Sequence, residues 1–320
     1  MKKYFVLICC VILGLGLVSG CGPQKQPGAQ ASEQAFFTMT DDNNRKVVLT
    51  RKPERVVVLS SSLFGMIDAV GGKVVGRVGS KNVDIPASMQ DAPEVGTVTA
   101  INIEKIISLQ PDCVFALKGL HDKFIPLLEA NGVPVIMLGF KTYKDVQDKL
   151  ELLGHIYGVP EQGKQIAADL DKKVAAVADK LPKQEKTIVI MHASAKNVTV
   201  ELDNSIAGCV ANLLHFKNVA MGGIPLSGSP DKTPYSLEEL VTRNPEVIFI
   251  TSMGDIEDIE NRLRADVQNS PAWNSLQAVQ QGRIYFLPEK LFLLNPGLDY
   301  PLAVQYMAQT VYPEVYAHEK

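Results

Sequence analysis

Two stretches of this chain carry the same pattern: Asn102 to Leu117 reads NIEKIISLQPDCVFAL and Ser236 to Thr251 reads SLEELVTRNPEVIFIT. Glu104 falls opposite Glu238, Pro111 opposite Pro245 and Phe115 opposite Phe249, and the positions between mostly keep their class. Ile103, Ile106 and Ile107 recur at helical spacing, Pro111 forbids the helix from continuing, and the uninterrupted apolar run that follows suits a strand covered on both faces. A unit repeated at so long a separation predicts two duplicated lobes, not a solenoid of short repeats.

The surrounding sequence extends this grammar. A ribbon is expected from Phe36–Thr40 and Lys46–Leu49, joined through Asp41-Asp42-Asn43-Asn44, residue types that favour tight turns. Strands are predicted at Arg55–Leu59, Val74–Val78, Cys113–Leu117 and Val133–Leu138, and in the second half at Thr187–His192, Val198–Leu202, Val247–Thr251 and Ile284–Leu287, with helical patterns between them. Such alternation implies an α/β fold of two lobes, each a mainly parallel sheet with flanking helices. Between them, from Glu161 to Pro182, Ile166, Leu170, Val174, Val177 and Leu181 lie on one helical face. The expectation is one long, rigid linking helix, with the ligand cleft between the lobes.

The amino terminus obeys different rules. Lys2 and Lys3 precede an apolar stretch, Tyr4 to Leu17, that has the length of an export-signal core and is short for a bilayer span. Leu17-Val18-Ser19-Gly20-Cys21 resembles a bacterial lipobox, in which Cys21 becomes the lipid-bearing first residue, and Gly22 to Ala31 reads as a tether. The expected organisation is a signal peptide over 1–20, an anchored tether over 21–35, a first lobe over 36–158, a linker helix over 159–183 and a second lobe over 184–320. Of the five cysteines only Cys113 and Cys209 remain in the folded part, in different lobes, and both read as small core residues.

A net charge of −3 with 21% charged residues gives no nucleic-acid footprint. Catalytic constellations fare no better. Ser60-Ser61-Ser62 follows a strand without a Gly-x-Ser-x-Gly elbow, the five histidines (His121, His155, His192, His215, His318) are dispersed, and Gly71, Gly72, Gly76 and Gly79 flank a strand without opening a helix from its end. The expectation is a binding protein, not an enzyme, with no cofactor and no metal site of its own.

At this point the chain resembles the class III substrate-binding proteins of bacterial ABC importers, which receive vitamin B12, ferric siderophores and haem. The residues that carry the resemblance are KPERVVVLSSS at Lys52–Ser62, VGTVTAINIEKIISLQPD at Val95–Asp112, NGVPVIML at Asn131–Leu138, SLEELVTRNPEVIFIT at Ser236–Thr251 and SPAWNSLQAVQQGRIYFLP at Ser270–Pro288, nearly the whole mature chain in order. The resemblance implies a monomer that hangs from the membrane by its lipid anchor, on the periplasmic side or the outer surface. It would capture a small metal chelate and hand it to a permease dimer driven by its ATPase. Glu104 and Glu238 match the family's acidic residues that dock on permease arginines. They also stand where helix-start carboxylates would, and Glu239 is the nearest competitor.

Strand ends place the cleft: Ser60, Ser61, Ser62, Ser80, Lys81, Thr97, Val98, Leu117, Lys118, Lys141 and Tyr143 on the first lobe, and His192, Lys196, Glu289, Lys290 and Phe292 on the second. Several lysines around one mouth suit an anionic ligand, a ferric catecholate or the propionates of haem, and Tyr143 and Phe292 could stack on a flat ring. Haem-binding members often carry a ligating tyrosine where this chain has Gly96-Thr97-Val98; His192 could ligate haem iron instead, or stand as a polar residue of the cleft wall. Cobalamin-binding members use tryptophans, and the single Trp273 is expected in the core. The ligand expected first is therefore a ferric siderophore. Two other readings need features not found in sequence: a hydrolase built on Ser61 or Ser62 lacks a placed base and acid, and a metal-ion receptor would need protein ligands such as His192 and Glu289 in one cluster.

Overall fold

A computed structural model describes residues 35–317 apart from 82, 195–196, 254–256, 258, 260 and 262–269. The signal, Cys21 and the tether as far as residue 34 lie outside the described residues, as do Lys196 and His318. Twelve strands follow one another along the described chain: β1 Phe37–Thr40, β2 Lys46–Leu49, β3 Val56–Val58, β4 Gly76–Arg77, β5 Cys113–Leu117, β6 Val135–Leu138, β7 Lys186–Ser194, β8 Val198–Glu201, β9 Phe216–Asn218, β10 Lys232–Pro234, β11 Val247–Met253 and β12 Ile284–Phe286.

The first-half sheet is wholly parallel, in the order β4-β3-β5-β6. The antiparallel ribbon β1–β2 is pinned to its edge by one carboxylate. Asp41 accepts from the amides of Asn43 and Arg45, from the Arg45 side chain, and from the amide of Met137 on β6. Burial works to raise the Asp41 carboxyl, but these donors outweigh it and hold its pKa below the usual value.

The second sheet runs β10-β8-β7-β11-β12, with β9 also on β7. Its centre β7–β11–β12 is parallel, whereas β8 and β10 are antiparallel additions. Alternate residues of β7 and β11 face opposite cores: Ile188, Ile190, Val247 and Phe249 join the larger cluster, while Val189, Met191, Ile248 and Ile250 join a second one that holds Trp273. That two-sided burial explains the uninterrupted apolar runs in the sequence. Strands β9 and β10 had no sequence signal, because three residues rich in Lys, Asn and Pro show no period.

The long helix spans Pro160–Ala178, one turn short of Pro182, with Pro160 at its first position, where no amide bond is lost. It packs on the helix Tyr143–Ile156 from the first half and on Tyr300–Val311 from the second. Gly163 and Gly154 allow the first crossing, since a Cβ on Gly163 would lie 2.5 Å from the Leu150 carbonyl oxygen. The larger core cluster passes through this helix without a break, from Val56 and Phe115 through Leu170 and Val174 to Phe249 and Val304.

The repeated segments share more than their residues. Asn102 and Ser236 cap their helices, Ile103–Ser108 and Leu237–Arg243, each accepting from the amide three residues on. Both copies then turn through a left-handed residue, Gln110 (φ 48°) and Asn244 (φ 43°), directly before the proline. The next acidic residue reaches the neighbouring strand in both: Asp112 accepts from the amides of Glu54 and Arg55 ahead of β3, and Glu246 accepts from the amide of Thr187 at the start of β7.

Candidate functional site

Parallel strands end on the same side, so the carboxyl ends of β3, β5 and β6 meet those of β7 and β11 across a cleft cavity of about 240 Å³. Of the residues expected from sequence it brings together Ser60, Ser62, Leu117, Lys141, His192 and Phe292. An adjoining recess of about 200 Å³, which shares Ser62 and Asn295 with the first, holds Ser61 and Lys290. A larger surface recess of about 430 Å³, between Ala178 and Glu185 and around His215, contains none of the expected residues.

The others stand outside the cavity lining. Ser80 accepts from the amide of Val83, Lys81 is exposed, and Thr97 closes its own turn to Ala100. Val98 offers its carbonyl to His121 Nε2 at 2.7 Å, and Lys118 donates to the Asp42 carbonyl. Glu289 occupies the first turn of the helix Glu289–Phe292. Tyr143 is the clearest correction. It is buried against Tyr300 with its hydroxyl donating to Asp171 at 2.9 Å, so it serves the seam with the long helix and offers no ring to a ligand. Its position just after the cap Thr142 turns it toward that helix, and burial pushes its phenol pKa up.

Two of the expected lysines are paired. Lys141 reaches across the cleft to Asp231 at 2.7 Å, and Lys290 returns the gesture to Asp84 at 3.1 Å. Burial tends to raise the Asp231 carboxyl, but the Lys141 ammonium overrides it and leaves the pKa lowered. On the floor of the second-half wall, His192, Thr251 and Glu201 lie side by side on β7, β11 and β8, all buried. Thr251 donates its only hydroxyl proton to Glu201, so the 3.0 Å contact from His192 Nδ1 must be a donation to Thr251. The imidazole is thereby held by Nδ1, which also lies 3.4 Å from Glu201 Oε1. Glu201, Ser205, Asp231, Lys232 and Asn295 were missed in sequence. Ser205 doubles as the cap of the helix Ile206–Leu213, and Glu201 reads there only as a polar residue at the end of a short strand.

His121 fixes the first-half rim. Its Nδ1 accepts from the Leu117 amide at 3.0 Å while Nε2 donates to Val98, an arrangement that requires the neutral ring, and burial lowers its pKa accordingly. Cys113 is buried in β5 with its thiol pKa pushed up by burial, and Cys209 accepts from the Tyr143 amide; both are unbridged. None of the three serines hydrogen-bonds a histidine or carboxylate among the described residues. No group of three His, Cys, Asp or Glu among them could hold a metal ion. No described helix is long and apolar enough to cross a membrane.

Glu104 and Glu238 occupy equivalent positions in the first turns of their helices, exposed and, among the described residues, without a side-chain partner. Glu239 instead contacts Arg243 at 3.4 Å.

Known proteins share this fold. The chain is 23% identical over 337 residues to YvrC of Bacillus subtilis, an ABC transporter substrate-binding lipoprotein, covering 99% of both chains. It is 26% identical over 293 residues to the Fe(3+)-citrate-binding protein YfmC of the same organism, covering 89% of each. An ABC transporter substrate-binding protein from Listeria monocytogenes superposes with a TM-score of 0.72 at 21% identity, covering 82% of this chain and all of that one. With residues 56–291 matching the family described as periplasmic binding protein, the chain belongs to that family, whose members bind and do not catalyse.

Proposed function

We propose that this protein is the lipid-anchored solute receptor of an ABC importer for iron complexes, and that its ligand is a ferric siderophore. The observation that carries the reading is the convergence of strand ends from both halves on one cleft. Its walls alternate hydroxyl and amide groups (Ser60, Ser62, Ser205, Asn295) with apolar ones (Leu117, Phe140, Phe292), as a chelate with a polar metal centre and an organic backbone requires. The relatives named for iron citrate and for ABC import support the solute class.

Cys21 would carry the anchor, and the two exposed glutamates at equivalent positions, Glu104 and Glu238, would meet a symmetric permease dimer. Charges so placed steer docking and set its register more than they set affinity. Because one helix packs on both halves, closure on the ligand should be small.

Titration of the protein with ferric siderophores, haem and cobalamin, followed by intrinsic fluorescence and visible absorbance, tests the ligand. Saturable one-to-one binding of a siderophore alone is expected. Haem is the second reading, favoured by His192, whose Nδ1 is anchored by Thr251 and Glu201; a carboxylate-backed imidazole of this kind suits a metal. A Soret shift lost in His192→Ala would replace the siderophore with haem. For docking, Glu104→Lys with Glu238→Lys should abolish stimulation of the permease ATPase and leave ligand affinity unchanged; stimulation that survives would remove both residues from the interface.

A further inference from the structure

Resting on the reading above, we infer that the cleft is built for an iron complex of zero or positive net charge, and that Glu201 is the residue that sets this preference. Lysines at the mouth suggest an anion in sequence, and the tertiary structure turns two of them to carboxylates of the protein itself. Lys141 is neutralised by Asp231 and Lys290 by Asp84, each pair formed between the two halves of the molecule. Lys232 is the cation left without a partner among the described lining residues, and no arginine joins it. Against it stand Glu201 in the main cavity and Asp299 in the adjoining recess, so the described lining holds one carboxylate in excess.

Glu201 is the consequential one because it is 5% exposed. Its Oε1 accepts from Thr251 and lies 3.4 Å from His192 Nδ1, while Oε2 has no partner among the described residues. An unpartnered carboxylate oxygen in a closed wall invites a donor, an ammonium or hydroxyl, and repels a carboxylate or catecholate oxygen at close range, where low polarisability of the surroundings strengthens the effect. Asn295 supplies the complementary group. It is 6% exposed, its Oδ1 is fixed by the Gly297 amide at 2.9 Å, and its Nδ2 is buried without a partner, a donor waiting for a ligand oxygen. A ferric hydroxamate with a pendant ammonium carries the donor that Glu201 lacks and the oxygens that Asn295 lacks.

The test holds the metal constant and varies the charge. The full-length chain in detergent is titrated with a linear ferric trihydroxamate that bears a free ammonium, a neutral cyclic ferric trihydroxamate, ferric citrate, and a trianionic ferric tris-catecholate. The cationic complex should bind at least about tenfold more tightly than the trianion, and Glu201→Gln should shrink that ratio by about tenfold. Should Glu201→Gln fail to fold, Lys232→Gln serves, since it should widen the ratio. An order led by the trianion, or ratios that neither variant moves, overturns the inference and leaves the receptor reading intact. Silence from all four complexes overturns the siderophore reading and the inference with it.

Discussion

The segments Asn102–Leu117 and Ser236–Thr251 are copies in backbone as well as in letters, yet the cleft walls above them are not copies. Both have a capped helix, a left-handed residue before proline, and an acidic side chain that holds the amide of the next strand. Beyond the strand the halves part. The first ends its strands in serines and loops tied by His121, whereas the second lengthens β7 and β11, adds antiparallel β8 and β10, and stations His192, Thr251 and Glu201 on three adjacent strands. The halves share a scaffold and differ in the residues that they bring to the cleft.

The shared part can be broken first. Phe115 and Phe249 are both fully buried at equivalent strand positions, so either one replaced by Ala should cost about 3–5 kcal/mol in urea unfolding. A large inequality between them would show that the two cores are not equivalent. The acidic clamp is next. Burial pushes the Glu246 carboxyl up, but Lys186 and Thr187 outweigh this and hold its pKa below the usual 4.5. A depressed carboxyl stabilises above its unfolded value, so this contribution is present above about pH 4.5 and is lost as pH falls through the folded value. Glu246→Gln should cost about 2 kcal/mol at pH 7 and flatten the acid limb of a stability profile. An unchanged acid limb would deny the clamp its role. The smallest effect is expected where the halves meet: Lys141→Met removes the pair with Asp231 but, with the lysine half exposed, should change stability by no more than about 1 kcal/mol. A larger loss would mean that the pair holds the halves together.

How far the sequence could be read follows from the range of each interaction. The parallel strands were legible because each is a short apolar run between a helix and a turn, and the limits at Cys113–Leu117 and Lys46–Leu49 agree with prediction. The ribbon was legible through Asp41 and Asn44. Strands β9 and β10 were not, since their pairing depends on β7 and β8 and on nothing local. Among site residues, those directly after a strand, such as Ser60 and Lys141, could be found by counting from strand ends. Tyr143 could not be placed, because one residue's rotation around a helix decides between cleft and seam.

The sequence by itself determined the duplication, the alternation of strand and helix, and the apolar faces, because these are periodic and local. Charge at the cleft was a tertiary decision. Lys141 and Asp231, Lys290 and Asp84, and Glu201 and Thr251 are distant in the chain, and only packing sets whether a lysine meets a ligand or an aspartate. Electrostatic character at a site depends on distances of a few ångströms between elements, a quantity that no reading along the chain contains.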